Sequence, residues 1–420
     1  MLRYLLNKIG YSILVMFGVV TAVFFLFTVL PGDPARMMLD QREDSEQLAA
    51  IKHKYGFDQP VSKQYLYYLN DLSPLSLHLV SEESYTHQSL EYVPHINLLT
   101  LGETRLVLKW PYLRQSFRSQ GKTVSSIIGE TLPNTIVLAV ASIVIAMLIG
   151  VFLGVIAALL KDTFTDRAIT VIGTLGMSVP SFFSAILMAW IFGYLLAEYT
   201  GLNMTGSLYE VDDMGEGIHL KLRNLILPAI TLGIRPLGVI IQLTRGSLLE
   251  EMGQDYIRTA RAKGLKESTI VRKHALKNAL NPVITAASGW FASMLAGAVF
   301  VEYIFGWNGL GKQIVEALNQ LDLPVVMGAV LVIGFTFVII NILVDILYVH
   351  PGQAIENGIV FPQGVIKGEK FRALCIAFYI FSTQRPFVVY TRTHIPSWIA
   401  IYSPQGLRYF SSPSNCIIWS

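Results

Sequence analysis

Apolar residues in this chain gather into six blocks, each about as long as a helix needs to cross a bilayer. A span takes about 20 mostly apolar residues. Ile9–Leu30, Thr135–Leu160, Ile169–Leu196, Leu225–Leu243, Val283–Val301 and Val325–Val349 reach that length. The polar residues between them are sorted by sign. Arg3 and Lys8 precede the first block, and Glu198, Glu210, Asp212, Asp213 and Glu216 dominate the loop after the third. Arg245, Arg258, Arg261, Lys263, Lys266, Arg272, Lys273 and Lys277 crowd the loop after the fourth. Loops rich in Lys and Arg stay in the cytoplasm. The pattern therefore predicts an all-α integral membrane protein of six helices, with both termini inside and an extracytoplasmic insertion between spans 1 and 2.

Composition agrees. Hydrophobic residues make up 53% of the 420 and charged residues 15%, against roughly 25% charged in a soluble domain. The mean hydropathy is +0.50. A net charge of +3, with no basic run interleaved with aromatics, excludes a nucleic-acid partner and leaves the lipid bilayer. Cys375 and Cys416 have neither metal nor redox spacing and make no disulfide framework. The first apolar run follows a positive start like that of a signal peptide, but it is long enough to span and no small-x-small site follows it.

Four regions result: a first span (1–30), an extracytoplasmic segment (31–130), a five-span core (131–348) containing a basic loop (245–282), and an atypical tail (349–420). In the second region Asp33-Pro34 opens a helix, with Asp as cap and Pro at the first helical position. Ser45–Leu69 reads as an amphipathic helix or helix pair interrupted at Gly56 and Pro60. Asp71–Lys109 shows no assignable element. The tail has no span and no periodicity, as a disordered appendage or a frameshifted end would.

Catalytic signatures are absent: no HExxH, no CxxC pair, no GxSxG. Catalytic residues, resident metal and cofactor are therefore expected to be none. Gly306-Trp-Asn-Gly-Leu-Gly311-Lys312-Gln313 matches a phosphate loop up to its last position, where Ser or Thr should hold Mg²⁺. It follows a membrane span rather than a strand, and it reads as a Gly-rich turn re-entering the membrane surface. Arg235 lies near the middle of the fourth block, where a charge costs about 3 kcal/mol or more. Two readings stand: it lines a pathway or pairs across an interface, or the span is broken at Pro236 and Arg235 snorkels. Glu302, at a span end, reads as solvated. Asp345 lies near a cytoplasmic end.

The basic loop is far longer than two spans need. Ile257, Ala260, Gly264, Ile270, Val271 and Ala275 recur at loose helical spacing, with most cations elsewhere. Gly264 after Lys263 fits a helix C-terminus, where Gly caps and a cation opposes the dipole. The loop reads as a short helix, a turn and a second helix leading to Asn281-Pro282.

That loop, DYIRTARAKGLKESTIVRKHALKNALNPV, resembles the cytoplasmic coupling loop of ABC importer permeases of the dipeptide, oligopeptide and nickel family. LPGDPA, ETLPNTIVLAV, GMSVPSFF and EYIFGWNGLGKQIVEALNQLDLPVVMGAVLVIGFTFVIINILVDILY agree in order and spacing. The resemblance implies a permease subunit that forms the pathway for peptides. Its partners would be a second homologous permease, two ATPase subunits that bind ATP and Mg²⁺, and an extracytoplasmic substrate-binding protein. It implies that Asp255, Tyr256, Ala260, Arg261, Ala262, Lys263, Gly264 and Leu265 meet the ATPase. A nickel or other small-solute importer is the alternative within the family. A stand-alone secondary transporter would carry membrane carboxylates and inverted repeats; the spans offer only Asp345 and no repeat. A structural or assembly protein has no use for such a loop.

Overall fold

The computed structural model describes residues 2–29, 45–81, 84–119, 121–211, 217–348, 399–403 and 406–410. Asp33-Pro34 and most of the tail lie outside them. Among the described residues, four helices are long and apolar enough to cross a membrane: Leu2–Val29, Val124–Leu159, Arg223–Glu251 and Leu323–Tyr348. Two further apolar stretches are bent pairs. Phe164–Ser178 meets the next helix, which starts at Ser181, at 109°, and the 267–296 stretch meets Val299–Phe305 at 57°. A single straight span over Ile169–Leu196 is thus corrected. Val179 before Pro180 takes an extended backbone (φ −78°, ψ 132°), as the proline ring requires of its predecessor.

The 223–251 helix is the hub, packing along the 124–159 and 164–178 helices and the Leu276–Gly297 helix. Side-chain size sets how closely they approach. A Cβ on Gly238 would stand 2.3 Å from the carbonyl oxygen of Gly173, and one on Gly154 would stand 2.9 Å from that of Ile241. Without a hydrophobic drive between helices in lipid, such close backbone approach supplies the packing.

The segment between the first two long helices corrects the all-α expectation. Ser45–Tyr55 and Val61–Leu72 are helices, as the pattern predicts. Beyond them β1 (Leu75–Leu79), β2 (His95–Leu101) and β3 (Thr104–Lys109) form an antiparallel sheet in the order β1-β3-β2. Leu75 pairs with Leu108 and Leu77 with Leu106. The sheet is inverted: Ser76, His78, Val107 and Lys109 face inward, while Leu75, Leu77, Leu79, Ile96 and Leu108 are exposed. Its polar inner face is largely satisfied internally, with Arg105 Nε left without a partner among the described residues. Asp71 accepts from the Tyr85 hydroxyl (2.7 Å) and Arg114 Nε (3.1 Å), and Lys109 Nζ donates to the Asp71 carbonyl. His78 Nδ1 faces the Thr86 carbonyl, which can only accept. That nitrogen therefore carries the proton, and Nε2 accepts from the Ser76 hydroxyl at 2.8 Å.

This insert sits on the ends of the first and last long helices, through Tyr68 against Val23, Phe24 and Leu331. Its end of the bundle is called the insert end below; the basic loop marks the other. A short hairpin joins Tyr209–Val211 to Ile218–Leu220. The second compact unit, Val360–Ser420, contains an antiparallel hairpin of Ile399–Ser403 with Gly406–Phe410.

Candidate functional site: the basic loop and the two ends of the bundle

The basic loop folds as helix, turn and helix. Asp255–Ala262 carries an acid in its first turn and Arg261 in its last, each opposing the helix dipole. The Leu265 amide donates to the Ala260 carbonyl (3.3 Å) and the Gly264 amide to that of Arg261 (2.9 Å). These are the paired bonds of a Schellman motif, and Gly264 supplies its left-handed residue at φ +75°. The chain then re-enters helix at Glu267, passes through a π-helical stretch over Ile270–Ala275, and continues to Gly297. Asn281-Pro282 does not interrupt it.

The short helix is two-faced. Ile257 and Ala260, one turn apart, are buried in a cluster with Ala158, Leu248, Ile270, Val271, Ala275 and Ala279. Asp255, Tyr256, Arg261, Ala262, Lys263, Gly264 and Leu265 are exposed, and a Cβ on Gly264 would meet nothing within 4 Å. Of the residues implied for the ATPase contact, Ala260 thus anchors the helix to its own bundle, while the other seven present a surface. Tyr256 is braced from behind, its hydroxyl donating to Glu251 and accepting from Asn278 Nδ2 at 3.1 Å. Arg261 closes the turn through both oxygens of Glu267 (2.6 and 3.4 Å).

Beneath the loop a second device joins two elements that sequence reasoning left separate. Arg245 meets Asp166 through Nε (2.6 Å) and Nη2 (2.7 Å), and Asp166 also accepts from the Asp162 amide (3.0 Å). Two parallel bonds fix direction as well as distance. The pair ties the turn before the 164–178 helix to the 223–251 helix. In the sequence Arg245 is one cation among eight, so its partner was not visible.

At the insert end the Gly-rich loop is a turn that encloses a side chain. Glu302 is fully buried, which corrects its reading as solvated. Gly306, at φ +66°, ends the 299–305 helix, and the chain turns back so that the amides of Gly311 (2.6 Å) and Lys312 (3.3 Å) donate to one Glu302 carboxylate oxygen. These amides open the Leu310–Asn319 helix. Free N–H groups at a helix start hold anions, and here the anion is the chain's own. Gly309 and Gly311 leave the room: a Cβ on Gly311 would stand 2.5 Å from Val299 Cα. The loop is latched to the head of the 124–159 helix. Trp307 Nε1 donates to the Asn134 carbonyl (3.1 Å), Asn134 Nδ2 to that of Asn308 (2.7 Å), and the Leu310 amide to Thr135 Oγ1 (2.8 Å). Two stretches far apart in sequence, ETLPNT and EYIFGWNGLGKQ, therefore form one structure.

Arg235 lies on the exposed side of the 223–251 helix, which runs unbroken through Pro236; a span broken at that proline is corrected. Asp345 falls within the last helix, and its side chain lies outside the described residues.

The chain belongs to the family of binding-protein-dependent transport system inner membrane components, the membrane subunits of ABC importers. That family's description matches residues 150–356, and its N-terminal counterpart matches residues 1–78. Among named relatives, the di/tripeptide transport system permease protein DppB of Pseudomonas aeruginosa (strain UCBPP-PA14) is 32% identical over 366 residues, covering 83% of this chain and 97% of that protein. A putative peptide transport system permease of Brucella abortus (strain 2308) is 35% identical over 348 residues, with the same shares. The dipeptide transport system permease DppB of Alkalihalophilus pseudofirmus is 31% identical over 363 residues, again covering 83% and 97%. Among solved structures, the MetNI methionine ABC transporter in an inward-facing conformation gives a TM-score of 0.41 at 19% identity, covering 53% of this chain and 94% of that one.

Proposed function

We propose that this chain is the peptide-conducting permease of an ATP-driven importer, paired with a second homologous permease and seated on two ATPase subunits. Each bent helix pair counts as one span, giving six, with both termini and the basic loop in the cytoplasm and the 31–130 insertion outside. ATP and Mg²⁺ belong to the ATPases, and an extracytoplasmic binding protein delivers the substrate. Peptide as the substrate class follows from the names of the relatives, and a nickel or other small-solute cargo remains the competing reading. Arg235, on an exposed helix face, is assigned to the pathway or to the permease–permease interface, and Asp345 to the cytoplasmic end of the last span.

The observation that carries the reading is the two-faced 255–262 helix. Its Ile257–Ala260 edge is sunk into the bundle and its other side stands clear, ending in a glycine turn with open space around it. A force applied to the free side is passed through the buried edge to the 223–251 and 276–297 helices. Reversing a strongly biased equilibrium takes about 5.5 kcal/mol, so the grip has to be firm. Gly264→Trp places a bulky side chain on that side, at a backbone angle that L residues adopt at a cost of about 1–2 kcal/mol. The assembled complex should still insert and still hydrolyse ATP while dipeptide uptake falls at least tenfold. Uptake at the parental rate, measured with labelled dipeptide in inverted and right-side-out vesicles, would remove the coupling role.

A further inference from the structure

Between the insert and the ends of the first and last long helices the fold leaves a cavity of about 410 Å³. That is within the roughly 300–1,000 Å³ range of ligand sites. Its walls are of two kinds. Phe24 and Phe27 from the first span and Met327 and Leu331 from the last form an apolar side. Lys52, Gln64 and Arg114 from the insert form a polar one. A filling of water alone would wet the aromatic rings, and a purely apolar filling would leave the terminal nitrogens of Arg114 unanswered.

Arg114 is held more firmly than packing of the insert requires. It is a non-glycine residue at φ +68°, a strained conformation that persists only where the surroundings over-determine it. Its guanidinium lies 5.2 Å from the Tyr68 ring centre and 5.8 Å from that of Tyr85. The bond to Asp71 uses Nε alone, and the two terminal nitrogens have no bonded partner among the described residues. Tyr68, which also lines the cavity, keeps a buried hydroxyl with no partner. A planar guanidinium fork of this kind is suited to a carboxylate or phosphate.

The geometry points to a binding site for an anionic amphiphile with a single acyl chain seated in the cavity: the hydrocarbon lies against Phe24, Phe27, Met327 and Leu331, and the head group is held by Arg114. The phosphate of an anionic phospholipid and the carboxylate of a free fatty acid share this chemistry. The site lies at the ends of the first and last long helices, and a bilayer around those helices supplies both. It rests on reading the 2–29 and 323–348 helices as spans, and not on which solute the transporter carries. A bound lipid here would glue the first span to the rest of the bundle and to the insert.

The test uses the whole transporter complex purified in mild detergent, with retained lipid counted per complex by native mass spectrometry and identified after extraction. The wild type and a control with the cavity intact (Leu148→Trp, at an exposed residue) should each keep about one anionic amphiphile per complex. Met327→Trp, which fills the cavity, should lower retention at least fivefold. Phosphorus in the released species identifies phospholipid and its absence a fatty acid; either supports the site. Equal retention in the wild type and Met327→Trp overturns it, as does release of the retained mass by a saturating dipeptide, which would make the cavity a solute site. Dipeptide uptake measured alongside reports on the transport reading separately, because lipid retention is scored whether or not uptake is found.

Discussion

Glu302 shows how one residue can be misread from sequence and become plain in three dimensions. A glutamate at the end of an apolar block is ordinarily wet, and nothing nearby in the chain suggests a partner. Its partners are amides nine and ten residues downstream, presented by a loop whose glycines imitate a nucleotide site. The pattern was legible and its ligand was not, because backbone donors leave no mark in a sequence. Gly311→Ala forces a Cβ onto Val299 Cα, 2.5 Å away. Overpacking of this kind costs about 1–3 kcal/mol, so the melting temperature of the purified complex in detergent should fall by several degrees; an unshifted melt would mean that the loop yields freely.

His78 gives a second test at the same scale. Burial lowers its proton affinity below the usual 6.5, outweighing the bond to the Thr86 carbonyl that favours the charged form. The unfolded chain then binds a proton that the folded insert refuses. Stability from this group is therefore full above about pH 6.5 and is lost as pH falls below it, at up to about 1.4 kcal/mol per pH unit. Amide exchange across residues 75–79, corrected for its intrinsic pH dependence, should show faster opening at pH 5 than at pH 7.5. The His78→Gln variant should lose that difference.

Among the elements, those with strong periodicity were legible. The helix, turn and helix of the basic loop, its glycine cap and the helix pair over residues 45–72 all follow from residue spacing. The bend at Val179–Pro180 was hidden because apolar content continues across it and block length alone counts one span. The sheet was hidden for another reason. LSLHL alternates as a half-buried strand should, but its apolar residues point out and its serine and histidine point in, against the usual direction. The clamp between Arg245 and Asp166 joins two elements whose contact no local pattern announces. Asp166→Asn removes the charge and leaves Arg245 half-answered. The loss should be on the order of 1–3 kcal/mol, between the ranges for exposed and buried pairs. If the clamp keeps the two helices in step, ATP hydrolysis should persist while uptake per ATP drops; unchanged coupling in a proteoliposome assay would limit the pair to stability.

For the whole molecule, the two ends of the bundle are built on different terms. The insert end is latched by hydrogen bonds among Asn134, Thr135, Trp307, Glu302 and the Gly-rich loop, so it moves as a unit. The loop end is held by a small apolar edge, the bonds of the Tyr256 hydroxyl and the Arg245–Asp166 pair, and it presents an exposed surface. Under the proposed coupling role a push on that surface tilts the long helices rather than deforming them locally, because packed cores switch between states and do not stretch.

The inverted sheet has a consequence for the life of the protein before it works. A row of leucines left exposed on the insert of the single chain is unfinished business for the cell: apolar patches of this kind are adhesive, and the β2 edge beside them, unpaired among the described residues, is a template for wrong company. A newly made subunit therefore advertises its own solitude. Produced without its fellow subunits it should be cleared several times faster than when all are made together, as a pulse-chase would record. Leu77→Lys, which places a charge in the middle of that face, should lengthen the lonely subunit's survival. The abundance of the transporter is then set by its scarcest component, with the leucines keeping count.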